Sequence, residues 1–173
     1  AYGVDAALWV GCIGDQGAES VAATLAGEVN PSGRLIDTYV SDLTKDPSYQ
    51  NFDDTYYSNV DGTIGGYESG CFNEYEEGIY VGYRYYETAA AEALVGNYEG
   101  FDYDSAVIYP FGYGLSYTDF TKEYDGTPVY KDGMFTFTVK VTNNGAVAGK
   151  DVVELYAESP YTSGGIEKSK VVL

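Results

Sequence analysis

The segment Tyr109–Tyr117, YPFGYGLSY, constrains this chain more than any other stretch. Four aromatic rings are interleaved with one proline and two glycines, and no charge interrupts them. The Pro and Gly breaks exclude a continuous helix or a central strand there. In a chain of formal net charge −18, uncharged rings at that density need something to pack against. The segment also separates two unlike patterns. Continuous apolar runs and helical spacing come before it, and period-2 alternation follows it.

On the N-terminal side, Ala6–Ile13, AALWVGCI, is a continuous apolar run ended by Gly14. Such a run predicts a strand covered on both faces, as in a parallel sheet. Asp15 and Gln16 read as a turn. Val21, Ala22 and Leu25 lie at helical spacing and predict a helix over Ala18–Leu25, with Gly27 as its stop. Asn30-Pro31-Ser32-Gly33 reads as a tight turn, and Arg34–Val40 alternates as a short strand would. Together these make a β-α-turn-β unit, the building block of a doubly wound sheet. Ser41–Glu77 is a long polar insert rich in Tyr and Gly, with little periodicity. Glu77–Glu87 alternates enough to read as a strand or an extended segment, Thr88–Gly96 as a short helix, and Phe101–Val107 as an acidic loop.

Beyond Phe120, Met134–Thr142, MFTFTVKVT, alternates cleanly and predicts a strand. Asn143-Asn144-Gly145 reads as a hairpin-type turn, Asp151–Glu158 as the next strand, and Lys168–Leu173 as the start of another. One βα unit cannot build a sheet, and three strands cannot close a sandwich. Both halves therefore read as portions of larger folds, and the chain as a fragment.

Composition excludes several functions. Nine basic against 27 acidic residues exclude nucleic acid and anionic membranes as natural partners. That balance suits solubility in an extracellular or otherwise crowded setting. With no histidine, the chain supplies neither a His-based triad nor a His metal ligand. Cys12 and Cys71 match no metal spacing; Cys12, inside an apolar run, reads as a buried thiol, and no disulfide is expected. No run of about 18 apolar residues is present, so no membrane-spanning helix is expected.

Four motifs, in order, resemble glycoside hydrolase family 3, the β-glucosidase family. Asn30–Leu35 is similar to its NPSGRLP turn, Glu77–Tyr86 (EGIYVGYRYY) to a segment near EGIYVGYRYYD, and Pro110–Tyr117 (PFGYGLSY) to its domain-end signature. Val139–Tyr156, containing TNNGAVAGKDVVELY, is similar to its TNTGxxAGxEVVQLY strand pair. Ile36 stands where many members have Pro, and the 41–72 insert is longer than in compact members. The resemblance implies an α/β fold followed by an all-β one. Residues 1–117 would be the C-terminal part of an α/β sandwich domain with a loop insert at 41–77. Residues 118–173 would begin a fibronectin-III-like β-sandwich. It further implies a retaining, exo-acting β-glycosidase acting on β-linked glycosides. The nucleophilic Asp would lie on a partner barrel domain and the acid/base Glu upstream of Leu8–Ile13. No catalytic residue is then expected in this chain, which would be inactive alone, and no cofactor or metal is implied.

Glu77, Tyr83 and Arg84 are the residues most suited to contact substrate. Glu76 or Glu77 would accept a hydroxyl, or else pair with Arg84. Tyr80, Tyr83, Tyr85 and Tyr86 would offer rings to a sugar, or else divide between core and interface. Asp53, Asp54, Asp102 and Asp104 could hold Ca²⁺ but lack a recognised spacing, which favours solvated loop acids. Gly11, Gly14 and Gly17 are spaced GxxGxxG, a poor match to a dinucleotide loop. Two rival readings stand beside the enzyme: a carbohydrate-binding or surface-assembly module using Tyr80–Tyr86, and a self-associating protein joined through unpaired sheet edges.

Overall fold

The computed structural model describes residues 3–52, 55–56, 63–64, 67–68, 71–158 and 171–172. In chain order the helices are α1 (Gly17–Leu25), α2 (Pro47–Asn51), α3 (Tyr83–Leu94) and α4 (Tyr103–Ala106), with a 3₁₀ turn at Leu43–Lys45. The strands are β1 (Tyr39–Val40), β2 (Thr55–Tyr56), β3 (Thr63–Ile64), β4 (Tyr67–Glu68), β5 (Cys71–Phe72), β6 (Val107–Tyr109), β7 (Phe120–Lys131), β8 (Met134–Asn143), β9 (Ala157–Glu158) and β10 (Val171–Val172). Every strand pairing among the described residues is two-stranded and antiparallel. None of these helices is long and apolar enough to cross a membrane.

The chain divides into two compact units that interleave in sequence: Ala1–Gly33 with Gly114–Val153, and Arg34–Tyr113 with Glu154–Leu173. In the first, α1 forms where the spacing of Val21, Ala22 and Leu25 placed it. Its end is a Schellman turn: Gly27 at φ +78° donates its N–H to Thr24 O at 3.0 Å, and Glu28 donates to Ala23 O at 2.9 Å. The β7–β8 hairpin is the largest element of this unit. Asp132 (φ +52°) and Gly133 (φ +80°) reverse the chain, two positive-φ residues in the arrangement that matches strand twist. Lys122 pairs with the buried Asp151 carboxylate at 2.9 Å.

Asn30 clasps this unit together. Its Oδ1 accepts the Tyr117 N–H at 2.8 Å and the Ser116 hydroxyl at 3.0 Å, while its Nδ2 donates to Ala148 O at 3.2 Å. The Tyr117 hydroxyl donates to Thr24 O at 2.9 Å, near the end of α1. One amide thus joins the NPSG, GLSY and AVAG segments.

In the second unit, β1 pairs with β6, and Tyr86, Thr88, Ala89 and Val107 are buried. Tyr86 and Ala89 lie three residues apart on one face of α3. The Tyr86 hydroxyl donates to Asp46 at 3.0 Å, and Asp46 also caps α2 by accepting the Ser48 N–H at 2.9 Å.

Several expectations are corrected. Ala6–Ile13 forms no strand; with no neighbour in a ladder it stays irregular, and Trp9 is 77% exposed. Cys12, in that run, is an exposed free thiol rather than a buried one. The strand expected over Arg34–Val40 is confined to Tyr39–Val40, and Asn30–Gly33 is irregular rather than a regular turn. The aromatic end of Glu77–Glu87 is helical from Tyr83, not extended. Phe101–Val107 contains α4 and the first residue of β6 instead of being loop throughout. Asn143-Asn144-Gly145 ends β8 instead of making its hairpin, because Asn143 Oδ1 accepts the Gly145 N–H at 3.0 Å. Asp151–Glu158 is a strand only at Ala157–Glu158. Of Lys168–Leu173, only Val171–Val172 lies within the described residues, and there it is a strand.

Candidate functional site

The EGIYVGYRYY segment changes conformation within its length. Gly82 at φ +57° turns the chain into α3, and Asp37 Oδ1 lies 3.2 Å from where a Cβ would stand, so a side chain is disfavoured on both counts. Glu77 precedes that turn. It is half-buried, and its Oε2 accepts from the Asn51 amide. No ion pair between Glu77 and Arg84 occurs among the described residues.

Tyr83, the first residue of α3, packs its ring 4.9 Å from Phe111 and 6.1 Å from Tyr156, centroid to centroid. This cluster ties the aromatic seam and the DVVELY segment to the start of the helix. The Arg84 guanidinium carbon lies 5.8 Å from the Tyr83 ring centroid, and its Nε is buried with no hydrogen-bond partner among the described residues. The structure therefore groups Tyr83 with Arg84, while Glu77 faces Asn51. Tyr156 donates its hydroxyl to Glu154 Oε2 at 2.8 Å. Burial first, then that carboxylate, hold its pKa well above the ordinary tyrosine range.

Further along α3, Tyr85 and Tyr86 point toward a cavity of about 580 Å³ that also involves Lys45, Tyr98, Phe101 and Ala106. The Tyr85 and Tyr98 hydroxyls lie 3.2 Å apart, and the Tyr98 and Phe101 rings stack with centroids 5.4 Å apart. Burial, followed by the hydrogen bond to Tyr98 and nearby negative charge, pushes Tyr85 up to about 12. Tyr86 is raised too, by burial and then by Asp46. Asp42 moves the other way. Thr44 donates to its carboxylate through Oγ1 at 2.6 Å and through N–H at 3.1 Å, and holds its pKa below the usual value. A carboxylate held ionised in this way is unsuited to act as a general acid.

The cavity was not legible in the sequence, since its walls come from segments near residues 40–50, 85–86 and 98–106. The Tyr-rich composition was the one hint. Asp53 and Asp54 lie outside the described residues. Among the described residues, Asp102 accepts the Ser105 hydroxyl, and no group of three potential ligands is placed to hold a metal ion.

Comparison with known proteins bears on this geometry. Residues 1–83 match the family model described as the glycosyl hydrolase family 3 C-terminal domain. The chain is 37% identical to a beta-glucosidase of Ruminococcus albus, with 99% of this chain and 16% of that protein covered. It is 38% identical to thermostable beta-glucosidase B of Acetivibrio thermocellus, over 83% of this chain and 16% of that protein. A solved β-glucosidase from Paenibacillus barengoltzii superposes with a TM-score of 0.65 at 34% identity, covering 90% of this chain and 14% of its own. The chain thus spans about 16% of the length of the curated relatives it matches.

Proposed function

The chain belongs to glycosyl hydrolase family 3, and from that premise we propose that it is part of an exo-acting β-glucosidase that hydrolyses O-glycosidic bonds with retention of configuration. The observation that carries this is the 37% identity to a beta-glucosidase over 99% of the chain. Retention needs two carboxylates about 5–5.5 Å apart, one as nucleophile and one as acid/base. We assign neither to this chain: the nucleophile belongs to a catalytic barrel, the acid/base to a further segment, and the 173 residues alone are inactive.

In this reading the chain scaffolds the site and walls part of it. Residues 1–117 complete an α/β sandwich, and residues 118–173 begin a fibronectin-III-like domain. The exposed Leu8, Trp9 and Val10 support such a placement, because an apolar run of this kind is suited to lie between neighbouring strands. Glu77, Tyr83 and Arg84 are proposed to contact substrate. The Arg84 guanidinium, set beside the Tyr83 ring, carries the N–H donors that a sugar hydroxyl would accept.

The test is a chimera in which this chain replaces the homologous segment of the Ruminococcus albus enzyme. The folded chimera should hydrolyse an aryl β-glucoside, and the isolated chain should not. A folded but inactive chimera overturns the β-glucosidase reading. Turnover by the isolated chain, lost on changing one of its own carboxylates, overturns the division of labour.

A further inference from the structure

We infer that Asn144-Gly145 is a site of spontaneous deamidation, held in check by the side chains of Asn143 and Thr121. Of the chain's seven asparagines, only Asn144 precedes a glycine. Glycine has no Cβ to crowd its nitrogen, so that nitrogen can reach the preceding side-chain amide. The fold itself demands glycine at 145, because a Cβ there would collide with the Thr118 side chain. It makes no such demand at 144, where the similar family string TNTG carries threonine. Both residues are exposed just past the end of β8, open to water and hydroxide.

The reaction balances with water alone. Hydroxide removes the Gly145 N–H proton, and the nitrogen bonds to Asn144 Cγ. The Asn144 Nδ2 takes a proton back from water and leaves as ammonia. Water then opens the resulting succinimide at either carbonyl, giving aspartate or isoaspartate. One water is consumed, one ammonia is released, and one negative charge is added to the net −18. Nothing is oxidised or reduced.

The native fold ties down both reacting groups. The Gly145 N–H donates to Asn143 Oδ1 at 3.0 Å, and a neutral amide oxygen shields that proton without removing it. Asn143 is itself fixed: its Oδ1 accepts the Thr118 hydroxyl at 2.6 Å, and its Nδ2 donates to Val147 O at 2.8 Å. The Asn144 Nδ2 donates to the Thr121 hydroxyl at 2.5 Å. Ring closure has to break the bonds to Asn143 and Thr121, and each such exposed bond alters a rate about 2- to 10-fold. Isoaspartate then lengthens the main chain by one atom, four residues before Ala148, whose carbonyl takes Asn30 Nδ2 at 3.2 Å. The modification is thus a one-way loosening of the Asn30 clasp.

The experiment ages the 173-residue chain at mildly alkaline pH, with and without urea. Peptide mapping separates Asn144 from its aspartate and isoaspartate products. Conversion in urea should be fastest at Asn144, and conversion of the native chain about tenfold slower. Without urea, Asn143→Ala and Thr121→Val should each convert about threefold faster than the parent. Thr121 is exposed and valine keeps its shape, so Thr121→Val tests the restraint even where Asn143→Ala disturbs the hairpin end. The aged parent should lose hydrogen-exchange protection at the Tyr117 amide, and an equally aged Asn144→Thr should keep it. No product at Asn144 in urea overturns the proposal. So do equal rates with and without urea, or native rates unaltered in both Asn143→Ala and Thr121→Val. Tyr117 protection retained after full conversion overturns the link to the clasp. None of this is read through turnover, so its failure leaves the β-glucosidase reading intact.

Discussion

Removing the Asn30 side chain is the sharpest test of how the first unit is held together. Asn30→Ala deletes three hydrogen bonds at once: from Tyr117 N–H, from the Ser116 hydroxyl and to Ala148 O. Each is worth about 0.5–1.5 kcal/mol net, and the site is half-buried, so the lower half of that range applies. The expected loss is about 2 kcal/mol. With a urea m-value of about 2–3 kcal/mol/M, the midpoint should fall by about 0.7–1 M at unchanged m. Asn30→Asp keeps an acceptor toward Tyr117 and Ser116 but loses the donor to Ala148, and should cost about 1 kcal/mol. Hydrogen exchange gives a local readout: the Tyr117 amide should lose protection in Asn30→Ala, while amides in β7 and β8 away from the clasp keep theirs. A midpoint within about 0.2 M of the parent, with Tyr117 still protected, would refute the clasp.

Two further outcomes follow from the second unit. The folded state holds the protons of Tyr85, Tyr86, Tyr103 and Tyr156 more tightly than an unfolded chain would, chiefly through burial and then through their hydrogen-bond partners. That stability is whole below the ordinary tyrosine value of 10.0 and is lost as pH rises through the Tyr85 value of about 12, so melting temperature should drop across that window as tyrosinate absorbance rises. A single titration near the ordinary value in a still-folded chain would contradict it. Gly112 sits at φ +77°, its N–H bonds to Leu35 O at 2.8 Å, and the Glu154 carboxylate occupies the space a Cβ would fill. Gly112→Ala should therefore destabilise by about 1–3 kcal/mol in thermal unfolding, and a neutral or stabilising effect would mean that the backbone there is free to adjust.

Local pattern was a good guide where one element's own residues decide its state. Helix α1 follows the spacing of Val21, Ala22 and Leu25, and β8 follows the alternation of MFTFTVKVT. Pattern misled where a neighbour decides. Residues 120–131, given no element from pattern, form β7, which absorbs Gly126-Thr127-Pro128 as a register shift between Asp125 and Val129. Tyr83, Tyr85 and Tyr86 look like strand residues, but the alanine-rich stretch after them and the backbone turn at Gly82 draw them into α3. Asn143-Asn144-Gly145 and Asp132-Gly133 carry the same turn signal, and only the second reverses a hairpin. The family motifs were visible as strings, but their convergence on Asn30 was not. Nor was the cavity, whose walls meet only through folding.

The pairing of β1 with β6 has a neighbour that gives it wider meaning. Just past Val40, the Ser41 N–H donates to Ala106 O at 2.9 Å, and the Ser41 hydroxyl donates to Ser105 O at 2.7 Å across a sequence separation of 64. The stretch bounded by these serines leaves and re-enters at one point, like a bag drawn shut at its neck. Doubling the length of a closed loop costs only about 0.6 kcal/mol. Insertions and deletions inside the neck can therefore accumulate while the strands that tie it keep their register. Since the tyrosine-lined cavity lies at and within that boundary, its lining could be rewritten like a cassette, leaving the frame that carries it unaltered.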